Sequence, residues 1–401
     1  MWTARNGNKD KSASLAGATM PIHPHAAPET TINTLAAPYG NNIPLLHGFG
    51  SFGTRLDPTG YGASRYTSVK ASEFAKKVLY ADLDIVPLQD NYDNTRKEPK
   101  HFLPIVPLML LNPSDGIAVG FSCTILPRSL KDIIDAQIKH LDGKSFDEAP
   151  ITFAPVDAES WEYELDELEN KKWYFTGEFE RTNTTTVVVT NLPYGKSHAS
   201  FISNLNKLID QKIVKDYIDD SVDSINITVK FERTVLNKYD DDQLCKLLKL
   251  SETVVERMNA IDFDGETIKN LTFETAVQSF TDWRLNFYKT RYEKLHDELT
   301  IQIQRYKDVI TAINKNVGSK ARSTKSKGEL VTYLESIKIV HTDYISSLPV
   351  YRFTEEEKQK TQEKLDEAEK TLAKYAKIIK SKAEQKKIYI SELQEIKRLF
   401  K

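Results

Sequence analysis

The sequence predicts an α+β chain of more than one domain, and three observations carry that prediction. The first 65 of the 401 residues are punctuated by turn-forming residues, with Gly48, Gly50, Gly53, Pro58, Gly60 and Gly62 close together. The middle of the chain places β-forming runs on either side of a helical pattern. The last third repeats apolar residues at spacings of three and four over long stretches. A length of 401 residues fits two or three domains.

Taken in order, residues 1–65 read as loop-heavy structure between short elements. Ser68 to Tyr80 reads as an amphipathic helix with Val69, Phe74, Val78 and Leu79 on its apolar side. From Phe102 to Ile125, Pro104, Pro107 and Pro113 interrupt apolar runs and Gly116 and Gly120 separate them, which suggests short buried strands joined by turns. The β-branched run Thr184–Thr190 is a strand, Ser197–Ile213 has helical spacing through Phe201, Leu205, Leu208 and Ile209, and Ser224–Phe231 alternates as a second strand does. Beyond Phe280, the residues Tyr292, Leu295, Leu299, Ile303, Tyr306, Ile310 and Ile313 mark one face of a long helix. A basic loop without an acid follows, holding Lys315, Lys320, Arg322, Lys325 and Lys327. Leu365, Ala368, Leu372, Tyr375 and Ile379 then form a two-heptad seam. The two long helices could pack antiparallel within one chain or present an end for dimerisation; periodicity serves both.

Composition excludes several classes. With 40% hydrophobic residues the chain has material for packed cores, so global disorder is excluded. There is no run of about 18 apolar residues and no apolar signal core at the start, which argues against a membrane span and against export. Two cysteines, Cys123 and Cys245, make neither a disulfide framework nor a four-cysteine zinc site, and suggest a reducing cytoplasm. The formal charge of −2 gives no hint of a polyanion partner. Locally the balance differs: residues 1–80 hold eight basic and four acidic side chains, and residues 141–180 hold twelve acidic and three basic ones, read as a solvated acidic face.

Several constellations could carry chemistry. His23 and His25, two residues apart, could ligate a metal or donate to a phosphate, but no Cys, His or Asp cluster at ligand spacing accompanies them. The glycines of Leu45–Thr54 allow backbone to approach a phosphate or another strand, yet match neither the P-loop nor the dinucleotide fingerprint. Asp82/Asp84 and Asp240–Asp242 could hold Mg²⁺ or be solvated acids. In Ala63-Ser64-Arg65-Tyr66-Thr67, a tyrosine stands beside an arginine. A phenol, with an ordinary pKa near 10, attacks phosphorus once its proton is removed, and neighbouring cations stabilise the charge that develops.

In sequence these segments resemble the DNA breakage–reunion subunits of type IIA DNA topoisomerases, most nearly those of the T-even bacteriophages. Lys9–Gly17 is similar to the family's lysine-containing entry segment, Ile22-His23-Pro24-His25 to its paired histidines, Leu45–Thr54 to its glycine-rich stretch, and Ala63–Thr67 to its Arg-Tyr motif. The likeness continues through Asn91-Tyr92-Asp93, Leu110-Leu111-Asn112, Gly116–Gly120, Thr124-Ile125-Leu126-Pro127, Thr190–Tyr194 and Arg352-Phe353-Thr354. The sequence departs at Ala26-Ala27, at His47 and Phe49, where the family has Asp and Gln, and at its start, since family members begin tens of residues earlier. That start implies either a truncated form or helices supplied by another polypeptide.

The resemblance implies a partial winged-helix DNA-gate domain over 1–100, an α/β tower domain over 101–275, and over 276–401 a long antiparallel coiled coil with a small helical exit-gate domain. It makes Tyr66 the DNA-linking nucleophile, supported by Arg65 and His25, with Lys11, His23, Gly48 and Gly50 on DNA and Ile125 as a wedge between base steps. No metal site is assigned to this chain: Mg²⁺ would be held mainly, and ATP bound, by an ATPase/TOPRIM large subunit. Double-stranded DNA, a second copy meeting at the DNA gate and C-gate, and that large subunit would be the partners, in the cytoplasm, of a host if the protein is viral. Relaxation, decatenation or unknotting is expected rather than supercoiling. A non-catalytic DNA-binding and dimerisation clamp is the alternative; a plain coiled-coil scaffold would leave the first 130 residues unexplained.

Overall fold

The computed structural model describes residues 1–24 and 28–400. They form two compact units: Met1–Arg284 with Ile390–Lys401, and Leu285–Tyr389. The sequence reading set the last of three domains at 276–401. The last residues return to the first unit because Phe400 packs edge-on against Phe74, at 5.2 Å between rings, and Lys397 pairs with Asp135 at 2.5 Å.

The first unit begins with β1 (Asp10–Lys11), α1 (Ser12–Thr19), α2 (Pro28–Ala36), β2 (Leu46–Phe49) and β3 (Ser68–Ala71). The three strands make one antiparallel sheet with β3 in the centre. Ser68–Tyr80 is therefore not one helix. Val69 lies in the central strand, and only the residues beyond Ser72 turn helical, with a π-turn over Ala75–Leu79. Alternation decides which face is buried. Leu46, Val69 and Ala71 face a core shared with Leu15, Ile32 and Phe52, or with its neighbour around Ala75 and Leu79.

A short hairpin of β4 (Leu88–Asp90) and β5 (Lys97–Pro99) follows, then α3 (Leu108–Leu111) and a second hairpin of β6 (Ser114–Ala118) and β7 (Phe121–Ile125). The expected buried strands are thus partly helix and partly an exposed arm. Helix α4 (Leu130–Leu141) starts at Ser129, whose side chain accepts from the Asp132 amide. Next come β8 (Ile151–Phe153) and β9 (Ala158–Ser160), then β10 (Tyr163–Leu165) and β11 (Lys171–Thr176). The four-stranded sheet is built from β12 (Glu178–Asn183), β13 (Thr186–Asn191), β14 (Val214–Asp219) and β15 (Ile227–Phe231), in the order β12-β13-β15-β14. Helix α5 (His198–Asp210) follows β13 as the spacing predicts and buries Phe201, Leu205 and Leu208 against Val187, Val189 and Val229, but β14, not expected from the sequence, comes before the predicted strand β15. Helix α6 (Asp241–Leu248) opens with a capping box between Asp240 and Gln243, so Asp240–Asp242 is a helix start, where carboxylates favour the unpaired amides. β16 (Ser251–Val255) completes a sheet with β10 and β11, and β17 (Met258–Ile261) pairs with β18 (Ile268–Leu271).

The second unit is helical. It holds most of α7 (Phe273–Asn314), then α8 (Val317–Ser323), α9 (Lys327–Ser336), α10 (Thr342–Ser346), α11 (Glu355–Lys380) and the start of α12 (Lys382–Leu399). Ile303 packs with Leu365 and Ala368, Lys307 pairs with Glu369 at 2.8 Å, and the Tyr292 and Tyr375 rings lie 5.3 Å apart. Rising numbers on α7 meet falling numbers on α11, so the pairing is antiparallel within one chain. Part of the expected basic loop is α8, seated by buried Val317 in a core with Val309, Ile313, Leu334 and Ile345. Thr354 caps α11, three glutamates fill its first turn and Lys377 and Lys380 its last, matching the helix dipole. Where α11 and α12 break at Ser381, the Gln385 side chain donates to the Ile378 carbonyl at 2.9 Å. Among the described residues no helix is long and apolar enough to cross a membrane.

Candidate functional site

Residues 63–67 form a tight turn leading into β3: the Tyr66 amide donates to the Ala63 carbonyl at 2.8 Å. The start of α1 holds this turn. The Ser12 and Ala13 amides, which have no partner within the helix, donate to the Thr67 and Ser64 carbonyls at 3.1 and 3.2 Å. The Thr67 hydroxyl donates to Ser12 Oγ at 2.8 Å in a buried contact. Ser64 Oγ donates to Glu29 on α2 at 2.7 Å. The residues beside Tyr66 are fixed, yet Tyr66 itself is 70% exposed. The Arg65 guanidinium lies over its ring at 4.7 Å, and Lys11 Nζ reaches its carbonyl at 3.5 Å.

The register assigns one face of the sheet to cations. Lys11 lies opposite Ser68, and His47 opposite Lys70; Phe49 lies on the same face opposite Ser68. Lys9 stands over the Phe49 ring at 4.1 Å and Lys70 at 5.8 Å, and the His47 ring meets Phe49 edge-on at 4.8 Å. Lys9, His47 and Lys70 were not among the predicted site residues. Reading Ser68–Tyr80 as a helix concealed the alternation that places Lys70 beside His47. The two departures from the family's glycine stretch, His47 and Phe49, are thus one packed pair.

The predicted residues fare differently. Arg65, Tyr66 and Lys11 come together as described. His23 is exposed in the loop after α1, and the Asn91 side chain donates to Pro21 in that loop at 3.1 Å. His25 lies outside the described residues. Gly48 and Gly50 have reasons within the protein for lacking a side chain. A Cβ on Gly48 would stand 2.6 Å from the Phe52 ring, and Gly50 has φ +103° beside Thr67.

Ile125 requires a correction. It is 4% exposed, at the anchored end of the β6–β7 arm, and cannot enter a base step. The arm is fastened there by paired backbone hydrogen bonds of 2.9 Å between Thr124 and Arg257, by the Asn259 side chain on the Ser122 carbonyl at 2.8 Å, and by Glu256, which accepts from the Leu126 amide at 2.9 Å. Its free end presents Ile117, 95% exposed, and Val119, fully exposed. The sequence signal was available: Gly120, at φ +79°, closes a two-residue turn with Val119, and Ile117, paired with Ser122, stands just before that tip.

The acidic groups have roles within the fold. Asp82 is buried and bound to buried Arg284, which also donates to the Pro104 carbonyl at 3.1 Å, so solvation does not describe it. Among the described residues no three His, Cys, Asp or Glu side chains converge to hold a metal ion.

Comparison with known proteins agrees with this architecture. Residues 1–394 match the family of the DNA gyrase/topoisomerase IV A subunits. The DNA topoisomerase medium subunit of Enterobacteria phage T4 is 26% identical, over 98% of this chain and 88% of its own length. The A subunit of Borreliella burgdorferi DNA topoisomerase 4 is 28% identical over 72% of this chain, and the mitochondrial DNA topoisomerase 2 of Dictyostelium discoideum 28% over 77%. The chain spans only 48% and 24% of those two relatives. The solved DNA-binding, cleavage and re-ligation domain of Plasmodium falciparum topoisomerase II shares the fold, with a TM-score of 0.84 at 22% identity, over 99% of this chain and 60% of that one.

Proposed function

Because the chain belongs to the family of the DNA gyrase/topoisomerase IV A subunits, we propose that it is the DNA cleavage and religation subunit of an ATP-dependent type II DNA topoisomerase. The observation that carries the reading is the exposed Tyr66 phenol, held on a rigid turn beside Arg65 at the edge of a face bearing Lys9, Lys11, His47 and Lys70.

The Tyr66 oxygen attacks a phosphodiester in line. A bond from phosphorus to the phenol oxygen forms, and the bond to the 3′ oxygen breaks. The proton given up by the phenol is matched by the one the leaving 3′ oxygen gains. A 5′-phosphotyrosyl link remains, and it conserves the phosphodiester's energy, so resealing is the reverse attack. Arg65 and His25 stabilise charge on the five-coordinate phosphate. Lys11, with Lys9, Lys70 and His23, holds the backbone, where cations contribute most of the affinity. Gly48 and Gly50 keep the adjoining loop close to the protein. Ile117, in place of Ile125, enters a base step and bends the cut duplex, as apolar wedges do in architectural proteins.

Residues 1–100 serve as the DNA gate, 101–275 as the tower, and 276–401 as the coiled coil with its exit gate. Two copies cut the two strands, and a second duplex passes through the break. Type II topoisomerases use Mg²⁺ and ATP. Following the family resemblance, we assign ATP to an ATPase/TOPRIM partner and Mg²⁺ mainly to it. The setting is the cytoplasm, of a host if the protein is viral.

The test mixes the chain with that partner, Mg²⁺, ATP and supercoiled plasmid, then denatures the mixture. Protein-linked linear DNA should form and should vanish with Tyr66→Phe. Cleavage that survives the substitution refutes the site, and DNA binding without covalent complex in the unaltered protein points to the non-catalytic clamp.

A further inference from the structure

The cleavage chemistry makes no use of the basic segment at residues 315–327. Lys315, Lys320, Arg322, Lys325 and Lys327 stand there without one acid, and all five are exposed. The segment is ordered. Val317 is buried in the helical core of its unit, Ser326 caps α9, and the Tyr333 hydroxyl donates to the Lys315 carbonyl at 3.4 Å. The Lys320 ammonium lies 5.4 Å from the centre of the same tyrosine ring, so Tyr333 ties the Lys315 backbone and the Lys320 side chain to one place on the unit.

Elsewhere in this unit lysines find carboxylates: Lys307 with Glu369, Lys358 with Glu355 and Lys360 with Glu356. Among the described residues, Lys327 forms the segment's one ion pair, with Asp343 at 3.8 Å and both groups largely in solvent, and the Glu329 carboxylate accepts from the Lys325 backbone amide at 3.1 Å. Like charges crowded on an ordered surface repel one another, and a polyanion relieves that repulsion. A helix of seven residues advances about 10 Å, a length over which duplex DNA presents about six phosphates at one charge per 1.7 Å.

We propose that residues 315–327 form a second docking surface for duplex DNA, on a different compact unit from Tyr66 and without base specificity. The choice of DNA over another polyanion rests on the function proposed above. The surface holds a duplex through its phosphates by Lys315, Lys320, Arg322 and Lys325, and it takes no part in cleavage.

The test uses the full chain and a labelled duplex, with affinity followed from about 50 to 200 mM salt. Changing Lys315, Lys320, Arg322 and Lys325 to Gln should make the slope of log affinity against log salt shallower by about 3.6. The affinity lost across that range then shrinks by about a hundredfold. The smaller pair Arg322→Gln with Lys325→Gln should give about half the slope change, and it serves if the fourfold variant unfolds. Tyr66→Phe should leave the slope unaltered. An unchanged slope in folded variants overturns the proposal, whatever else the cations bind. Failure of the cleavage reading is seen separately, as absence of covalent complex in the unaltered protein. If both readings hold, the fourfold variant cleaves normally with the ATPase/TOPRIM partner and decatenates more slowly.

Discussion

Glu256→Ala is the substitution whose consequences the structure determines most fully. Arg128 is entirely buried, and Glu256 is its main counter-ion. Glu256 Oε2 accepts from Arg128 Nη2 at 2.8 Å, and Oε1 accepts from Nη1. The same carboxylate accepts from the Leu126 amide at 2.9 Å and from Trp173 Nε1 at 3.0 Å. Breaking a buried ion pair by removing one partner costs about 3–5 kcal/mol. Each orphaned buried donor adds about 1–3 kcal/mol, overlapping the first figure. Glu148, 2.8 Å from Arg128 Nη2, offsets part of the loss. The expected cost is about 4 kcal/mol. Hydrogen exchange at the Leu126 amide reads it locally: protection should fall by about a thousandfold, since each 1.4 kcal/mol is roughly tenfold. The double variant Arg128→Met with Glu256→Gln should recover about half or more, because it leaves no uncompensated charge. A fall in protection of less than about tenfold on Glu256→Ala would refute the view that this network anchors the arm.

Two further outcomes are expected. Ile117→Ala should leave stability within about 0.5 kcal/mol, since the side chain is almost wholly in solvent. It should reduce bending of a doubly labelled duplex, and equal energy transfer in variant and unaltered protein would exclude the wedge. Asp308 is buried in the helical unit. Burial raises its pKa, but hydrogen bonds from the His341 amide, Gln304, the His341 ring and the Val340 amide outweigh that and leave it below the ordinary carboxylate value. A depressed folded value stabilises fully above the unfolded pKa of about 3.9 and is lost as pH falls through the folded one. Asp308→Asn should therefore lower the melting temperature at neutral pH and remove part of the decline below about pH 4. Parallel melting curves against pH for the two proteins would contradict the assignment.

What the sequence made legible was local. The two long helices were readable because a repeated spacing carries the signal, although their antiparallel pairing within one chain was not, and Arg65-Tyr66 stood out through its resemblance to a family motif. Within 184–232 the first strand, the helix and the last strand were readable for the same reason as the long helices, while β14 between the helix and the last strand was missed. The errors arose where distant residues decide. Nothing near Ile125 shows that Arg257, Glu256 and Asn259 fasten that end of the arm, leaving Ile117 at the free end. Ser68–Tyr80 has helical spacing, but β1 and β2, far away in sequence, recruit its first four residues into a sheet. Asp82 looked solvated because Arg284, its partner, is 202 residues away.

Under the function proposed above, net charge misleads for a related reason. A phosphate responds to charges within a Debye length of about 8–10 Å, so the sum over 401 residues does not describe what it meets. Strand alternation places Lys11, His47 and Lys70 on one face and Leu46, Val69 and Ala71 on the other, and a modest local excess becomes a basic surface. The acidic stretch 141–180 works in the opposite sense. Its Glu148 pairs with Arg128 from outside the stretch, so the formal balance overstates the excess by one charge, whereas the pairs of Glu148 with Lys171 and Glu164 with Lys172 are already within that balance. Pairing, more than composition, decides which charges remain for a partner. By that measure the unpaired cations of the Tyr66 sheet and of residues 315–327 are the two surfaces on which DNA affinity should depend most steeply on salt.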